Sequence, residues 1–210
     1  MRLQGVIFDF DGTLADTIPL CCGAFREVAQ RHLGRDYSDT EIMALFGPSE
    51  EGIFQQIAGD RWQVCHADFL SIYERDHKAS VTLFAGIPKL LAELANRDIP
   101  VAVVTGKGAE SAAISLRLLE LEEHFDVVEA GSPEGSVKPE AIRRIVRRWN
   151  VDPAAVAYVG DAPNDVSEAR VAGVVPLAAA WAASADWAAL ESRDPAAIFT
   201  SVAELSDWIR

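Results

Sequence analysis

Short runs of consecutive apolar residues recur along the chain, and a segment with helical periodicity separates each run from the next. Continuous apolar runs are typical of strands that are buried on both faces of a parallel sheet. The pattern therefore predicts an α/β fold with a doubly wound, mainly parallel, Rossmann-like sheet. The predicted strands are residues 6–8, 101–104, 127–128, 157–159, 174–177 and 197–199, and the intervening helices are 88–96, 109–119, 139–149, 164–172 and 201–209.

One long segment interrupts this alternation, because residues 17–82 carry helical patterns only. The predicted helices are 19–32, 40–45, 50–57 and 62–77, and Gly47-Pro48-Ser49 in the middle is a loop signal. We therefore expect two domains. Residues 1–16 and 83–210 are expected to form the α/β core domain, and residues 17–82, hereafter the insert, an all-α domain.

The charge balance limits the possible partners. The chain has 19 basic and 32 acidic residues, and its formal net charge is -13. Such a chain repels nucleic acid and anionic membranes at long range, so we expect neither as a partner. Any anionic substrate requires positive charge that the site itself supplies.

The cysteines and the first residues of the chain bear on localisation. Three cysteines, of which Cys21 and Cys22 are adjacent, do not make a disulfide framework. The N-terminus lacks a basic region followed by an apolar run and a cleavage site. We expect a soluble cytoplasmic protein, as a monomer or a homodimer, and the adjacent cysteines have no assigned role.

The first predicted strand ends in closely spaced carboxylates. Asp9 and Asp11 are two positions apart, so their side chains can converge on one face where the strand ends. Two such carboxylates repel each other unless a divalent cation lies between them or one of them is protonated. An ordinary turn or a helix N-cap is the alternative interpretation of this Asp-Gly segment.

Later strand ends add polar groups of matching chemistry. Ligands of open α/β sheets bind outside the carboxyl ends of the strands, where Thr105 and Asp161 are expected. Lys138, at a predicted helix start, opposes the helix dipole unless an anion or carboxylates offset that cost. Helix capping by Thr105 or Asp165, and simple solvation of Lys138, remain the alternatives. Together the groups fit a phosphoryl-transfer site with a magnesium ion.

Four segments resemble the ordered motifs of the haloacid dehalogenase-like hydrolase superfamily. They are Asp-Phe-Asp-Gly-Thr-Leu at 9–14, Val-Val-Thr-Gly-Lys at 103–107, Lys-Pro at 138–139 and Gly-Asp-Ala-Pro-Asn-Asp at 160–165. The insert is similar to the helical cap of the phosphoglycolate phosphatase and β-phosphoglucomutase branch. Two positions depart from that branch: Gly106 replaces a common Asn, and Glu140-Ala141 follows Lys138-Pro139 without a second proline.

The resemblance implies a role for each motif residue. Asp9 would be the nucleophile that forms an aspartyl-phosphate, and Asp11 would act first as an acid and then as a base. Mg²⁺ would be held by the side chains of Asp9 and Asp161 and by the backbone carbonyl of Asp11, with support from Asp165. Thr105 and Lys138 would complete the catalytic set. The implied phosphate-binding residues are Gly12, Thr13, Thr105, Gly106, Lys107 and Lys138.

The implied function is a magnesium-dependent phosphatase that acts on a small phosphorylated metabolite. In the insert, Gly47 and Pro48 resemble a loop that contacts the leaving group, although a plain helix–helix turn is an equal alternative. Phosphoglycolate and inorganic pyrophosphate are the leading substrates. A β-phosphoglucomutase-like phosphotransferase is less favoured, because Leu20-Cys21-Cys22 lies where that enzyme has a basic residue. A receiver-like switch that keeps its phosphoryl group is the alternative from another class.

Overall fold

The computed structural model of the protein describes residues 3–210. At its centre lies a six-stranded parallel sheet with the strand order β3-β2-β1-β4-β5-β6. The order confirms the predicted doubly wound α/β fold, and each predicted strand is confirmed to within two residues. The strands are β1 (Gly5–Phe8), β2 (Val101–Val104), β3 (Val127–Glu129), β4 (Val156–Gly160), β5 (Val175–Ala179) and β6 (Ala197–Phe199).

The two faces of the sheet are covered by different sets of helices, which explains the continuous apolar runs. Val6 and Phe8 join one hydrophobic cluster, which includes residues of the insert. Ile7 points to the other face and joins a cluster with Tyr158 and the helix that follows β3. Because successive side chains of a strand point to opposite faces, a central strand covered on both sides must be apolar throughout.

The insert is all-helical in the structure. Its helices are α1 (Ile18–Leu33), α2 (Asp39–Met43), α3 (Glu50–Ala58) and α4 (Trp62–Ser80). Local signals set two of the ends: Ser38 and Glu41 form a reciprocal capping box at the start of α2, and Gly34 ends α1 with φ of 63°. The domain boundaries at residues 16 and 82 stay a prediction.

Aromatic side chains hold the insert together. The ring of Phe25 on α1 lies 4.8 Å from that of Phe54 on α3 and 4.7 Å from that of Phe69 on α4, measured between centroids. The ring of Tyr73 stacks on Phe69, and its hydroxyl bonds to Ser115 in the helix that follows β2. The aromatic cluster therefore packs the insert internally and ties it to the rest of the chain.

The remaining helices flank the sheet, and the short one after β5 was not predicted. Its sequence lies partly in the Ala-rich residues 178–189, which carry no helical periodicity. Trp187, the first residue of this helix, is 45% exposed. The helices that flank the sheet are α5 (Ile87–Ala95), α6 (Ala109–Leu118), α7 (Lys138–Trp149), α8 (Pro163–Ala172), α9 (Trp187–Glu191) and α10 (Val202–Ile209).

No helix among residues 3–210 is long and apolar enough to cross a membrane.

Candidate active site

The candidate site lies where the strand order reverses, between the carboxyl ends of β1 and β4. Asp9 follows β1 directly, and its backbone N–H donates to the carbonyl of Val159 in β4 at 2.8 Å. Asp161 follows β4 directly. Such a switch point is the usual ligand crevice of an open α/β sheet.

Three carboxylates meet in this crevice. One carboxylate oxygen from each of Asp9, Asp161 and Asp165 lies within 4.8 Å of the other two. The ammonium of Lys138 is 2.8 Å from Asp9 Oδ2 and 2.5 Å from Asp165 Oδ1. The structure thus brings together residues that are more than 150 positions apart in the sequence.

Lys138 is the first residue of α7, and its position at that helix start is explained by its partners. A lysine in the first turn opposes the helix dipole, but here its charge is neutralised by two buried carboxylates. Burial alone would lower the pKa of Lys138, yet Asp165 and Asp9 hold that pKa well above its usual value. Simple solvation of this lysine is therefore ruled out.

The turn after β1 depends on a glycine. Gly12 has φ of 74°, and a Cβ on it would lie 2.1 Å from Asp161 Oδ2. Any side chain at this position would displace the Asp161 carboxylate, so the turn requires glycine. The next residue, Thr13, donates from its hydroxyl to Asp161 Oδ1 at 3.2 Å, and its carbonyl accepts from the Trp181 indole at 3.0 Å.

Asp11 has a separate set of partners. Thr17 occupies the N-cap position of α1, but its hydroxyl bonds to Asp11 Oδ1 and makes no side-chain cap bond. The ammonium of Lys107 lies 3.4 Å from the same carboxylate oxygen. Burial raises the pKa of Asp11, and Lys107 and Thr17 oppose that rise. A raised pKa suits a carboxyl group that must donate a proton.

Glu50 is a buried polar residue that the sequence did not single out. It begins α3 in the insert, yet its carboxylate accepts hydrogen bonds from the Ser111 hydroxyl at 2.7 Å and from the backbone N–H of Gly108. Its Oε1 is 3.4 Å from Lys107 Nζ. Although burial disfavours the charged form, Lys107 and these donors keep the pKa of Glu50 below its usual value. The only sequence signal was an acid in a helical first turn, which is common.

Most of the predicted site residues line one cavity of about 460 Å³. Thr105 does not cap α6, whose N-cap is Gly108; its hydroxyl instead accepts from the Lys107 N–H at 3.2 Å. The residues from the sheet edge that line the cavity include Asp9, Asp11, Thr105, Gly106, Lys107, Lys138, Asp161 and Asp165, and Gly47 and Pro48 line it from the insert. Gly12 and Thr13 contact the site through Asp161.

Asp165 combines the two interpretations that the sequence left open. Its Oδ2 accepts from the backbone N–H of Ala162 at 3.0 Å at the start of α8, so the carboxylate does help to cap that helix. Its Oδ1 bonds to Lys138 and to the hydroxyl of Tyr158, at 3.2 Å from the latter. In the sequence, Tyr158 lies inside an apolar strand run, and this position indicated such a contact, because a buried hydroxyl requires a polar partner.

The carboxylate cluster fits a hard divalent cation. Burial, then the charges of Asp165 and Asp9, raise the pKa of Asp161 well above its usual value. Such repulsion among buried carboxylates is relieved when a cation binds their oxygens. Oxygen donors are those that Mg²⁺ prefers, so the donor set of Asp9, Asp161 and Asp165 is suitable for it.

The sequence of the chain matches that of a known protein family. The sequence model of the haloacid dehalogenase-like hydrolase family matches residues 6–179. That span contains all four motifs and the complete insert.

Named relatives cover most of the chain. A phosphoglycolate phosphatase of Synechococcus elongatus is 33% identical over 186 residues, which are 85% of this chain and 84% of that protein. The pyrophosphatase PpaX of Bacillus cereus is 26% identical over 183 residues, 86% of this chain and 85% of that protein. The structure of CbbY from Rhodobacter sphaeroides in complex with phosphate superimposes with a TM-score of 0.81 at 23% identity, covering 97% of this chain and 96% of that one.

Proposed function

The chain belongs to the haloacid dehalogenase-like hydrolase family, and we propose that it is a magnesium-dependent phosphatase that hydrolyses a small phosphomonoester through an aspartyl-phosphate. The observation that carries the proposal is the meeting of Asp9, Asp161 and Asp165 around Lys138 at the switch point of the sheet. A buried carboxylate beside an ammonium and a cation site is the arrangement that phosphoryl transfer requires.

Asp9 is the proposed nucleophile. One of its oxygens attacks phosphorus while the bond from phosphorus to the substrate's leaving oxygen breaks, so the phosphoryl group passes to the carboxylate. Lys138, at 2.8 Å from Asp9 Oδ2, orients the carboxylate and offsets the repulsion between it and the anionic substrate. The backbone N–H of Asp9 donates to Val159 in β4, and this bond keeps Asp9 at the mouth of the crevice.

Asp11 is the proposed acid and base. It protonates the leaving oxygen in the first step, and then removes a proton from the water that attacks the phosphorus of the aspartyl-phosphate. That second attack releases phosphate and regenerates the Asp9 carboxylate. Thr17 and Lys107 hold the Asp11 carboxyl group in place for both transfers.

The remaining residues bind metal and phosphate. Asp9 and Asp161 side chains and the Asp11 backbone carbonyl would hold Mg²⁺, and Asp165 would support them. The ion would supply charge neutralisation at the phosphoryl oxygens. The residues proposed to bind phosphate are Gly12, Thr13, Thr105, Gly106, Lys107 and Lys138, and Gly47 and Pro48 are proposed to contact the leaving group.

Related activities share this arrangement. A pyrophosphatase, the name of the Bacillus cereus relative, would use the same nucleophile with phosphate as the leaving group. A phosphoglucomutase-like phosphotransferase differs only in the acceptor of the phosphoryl group. A receiver-like switch would keep the phosphoryl group on Asp9 without turnover.

Phosphate release from p-nitrophenyl phosphate tests the proposal. We expect turnover with Mg²⁺, and loss of turnover after EDTA that added Mg²⁺ restores. Asp9→Asn should abolish it, because an amide is a poor nucleophile and a weak metal ligand. Asp16→Asn is the matched control, since this nearby aspartate is not among the cavity-lining residues, and it should keep activity. Full activity of Asp9→Asn would overturn the mechanism, and a stable phosphoprotein without turnover would indicate the switch.

A further inference from the structure

Two chemically different groups of residues line the cavity. The sheet edge contributes the carboxylates and lysines described above. The insert contributes mainly apolar residues, together with the carboxylate of Glu50. Its large apolar members, hereafter the insert wall, are Ile18, Phe25, Met43, Phe46 and Ile53.

The insert wall presents apolar surface to the cavity. Met43 is 41% exposed and Phe46 is 39% exposed, although both are large apolar side chains. The Phe46 ring is tilted by 48° against the buried ring of Phe25, with the centroids 6.4 Å apart. Exposed apolar side chains that line a pocket are characteristic of a surface that a ligand covers.

The cations of the cavity are already paired. Among the described residues that line it, only Lys107 and Lys138 are cationic. Lys138 bridges Asp9 and Asp165, and the side chain of Lys107 is fully buried between Asp11 and Glu50. The arginines of the insert interact elsewhere: Arg26 with Asp39, Arg31 with Asp68, Arg35 with the ring of Tyr37, Arg61 with the His32 carbonyl and Arg75 with Asp76.

The cavity therefore has no spare cation for a second anionic group of the substrate. A leaving group with a carboxylate or a phosphate would enter a cavity that is also lined by the carboxylates of Glu50, Glu168 and Asp186. Burial of an unpaired charge beside a like charge is strongly unfavourable. The phosphoryl group itself is not affected, since its charge is met at the sheet edge.

We propose that the substrate is a phosphomonoester of an uncharged alcohol that carries an apolar or aromatic group, which the insert wall covers. This inference rests on the proposed phosphatase function and narrows its substrate class. Phosphoglycolate and pyrophosphate, the substrates of the named relatives, both have an anionic leaving group and fit the insert wall poorly. An aromatic group instead stacks on Phe46 and contacts Met43.

Binding of inert phosphonates by calorimetry, with Mg²⁺ present, tests this proposal apart from turnover. Propylphosphonate and phosphonoacetate are similar in size but differ by one negative charge, and we expect propylphosphonate to bind ~10-fold more tightly or better. Benzylphosphonate should bind ~10-fold more tightly than methylphosphonate, because its ring covers the insert wall. Tighter binding of phosphonoacetate, or no binding of any of the four, would overturn the proposal.

Variants of the insert wall sharpen the test. Phe46→Ala should remove most of the preference for benzylphosphonate, and Met43→Lys should shift binding toward phosphonoacetate. The matched control is Val64→Ala, because Val64 is an apolar residue of α4 with 56% exposure that does not line the cavity. It should bind all four phosphonates as the wild type does. An unchanged preference in Phe46→Ala would also overturn the proposal.

The outcomes separate this inference from the proposed function. If the wild type hydrolyses p-nitrophenyl phosphate but binds phosphonoacetate more tightly than propylphosphonate, the substrate class is wrong and the phosphatase stands. If propylphosphonate and benzylphosphonate are preferred but no phosphomonoester is hydrolysed, the phosphatase is wrong and the binding preference of the cavity stands.

Discussion

Lys138 and Lys107 are both buried and each bridges two carboxylates, but they belong to different parts of the molecule. Lys138 joins Asp9 to Asp165, and all three residues lie outside the insert. Lys107 joins Asp11 to Glu50, and Glu50 begins a helix of the insert. The first bridge contains no residue of the insert, whereas the second requires contact between the insert and the sheet edge.

This difference indicates which contacts connect the insert to the candidate active site. Beyond Glu50, the insert approaches the loop after β3, where the N–H of Ser49 donates to the carbonyl of Ser132 at 2.9 Å. A Cβ on Gly52 would lie 2.3 Å from the carbonyl oxygen of Pro133. The close approach of α3 to this loop positions the Glu50 carboxylate on Lys107, which also contacts Asp11, so the position of the insert and the position of Asp11 are linked.

The largest effect should come from removal of the bridge at the sheet edge. In Lys138→Met, Asp9 and Asp165 lose their shared cation, so kcat/KM should fall by ~10³-fold or more. Lys107→Met is the matched comparison, and its smaller loss should be tens of fold, since Asp11 keeps the Thr17 bond. Steady-state phosphate release measures both, with circular dichroism to confirm folding. A larger loss of kcat/KM in Lys107→Met than in Lys138→Met would contradict the prediction that the bridge at the sheet edge contributes more to the reaction.

A smaller effect should follow when only the insert side of the second bridge changes. Glu50→Gln keeps the size of the side chain and an acceptor for Ser111, but it removes the charge that balances Lys107. We expect kcat/KM to fall about tenfold, because Lys107 is then drawn toward Asp11. Glu51→Gln, one residue along the same helix, is the control and should retain wild-type kinetics. Equal losses in the two variants would show that Glu50 has no special role.

The smallest predicted effect is on the free energy of unfolding, and it comes from His77, whose pKa is influenced by Lys107. His77 on α4 is buried, and burial together with the charges of Lys107 and Arg117 lowers its pKa from 6.5 to about 4. As the pH falls, the unfolded chain therefore protonates His77 before the folded protein does. The contribution of His77 to the free energy of unfolding is fully present above pH 6.5 and is lost as the pH falls toward 4. The loss should reach roughly 1 kcal/mol by pH 5.5.

Denaturant unfolding at several pH values measures this effect. His77→Gln should flatten the dependence between pH 7.5 and 5.5, because its side chain has no proton to bind there. His124→Gln replaces a residue that is exposed, so it should keep the wild-type curve. A wild-type slope in His77→Gln would show that other groups govern stability in this range.

The sheet and its site were predictable from the sequence for one physical reason. Buried parallel strands are continuous apolar runs, and their carboxyl ends share one edge, so the polar residues that follow them must meet. This argument located Asp9, Asp161 and Thr105, and the structure shows them lining one cavity. Lys138 was identifiable as well, because a lysine in a first helical turn requires compensation.

The residues that could not be predicted make long-range contacts without a local pattern. Glu50 looks like any acid in a first helical turn, and only the packing of α3 against the loop after β3 brings it to Lys107. Trp181 lies in an Ala-rich stretch, and its bond to Thr13 spans 168 positions. Trp187, in the same stretch, is exposed. Hydrophobicity alone does not separate these two tryptophans.

Chemical trapping of the phosphorylated residue tests the central claim most directly. The protein would be mixed with p-nitrophenyl phosphate and Mg²⁺, quenched in acid and treated with borohydride, which reduces an acyl phosphate to the alcohol. Mass spectrometry of the peptide that contains Asp9 and Asp11 should then show homoserine at position 9 and unmodified aspartate at position 11. Homoserine at position 11, or phosphate release with no reduced residue, would contradict the account.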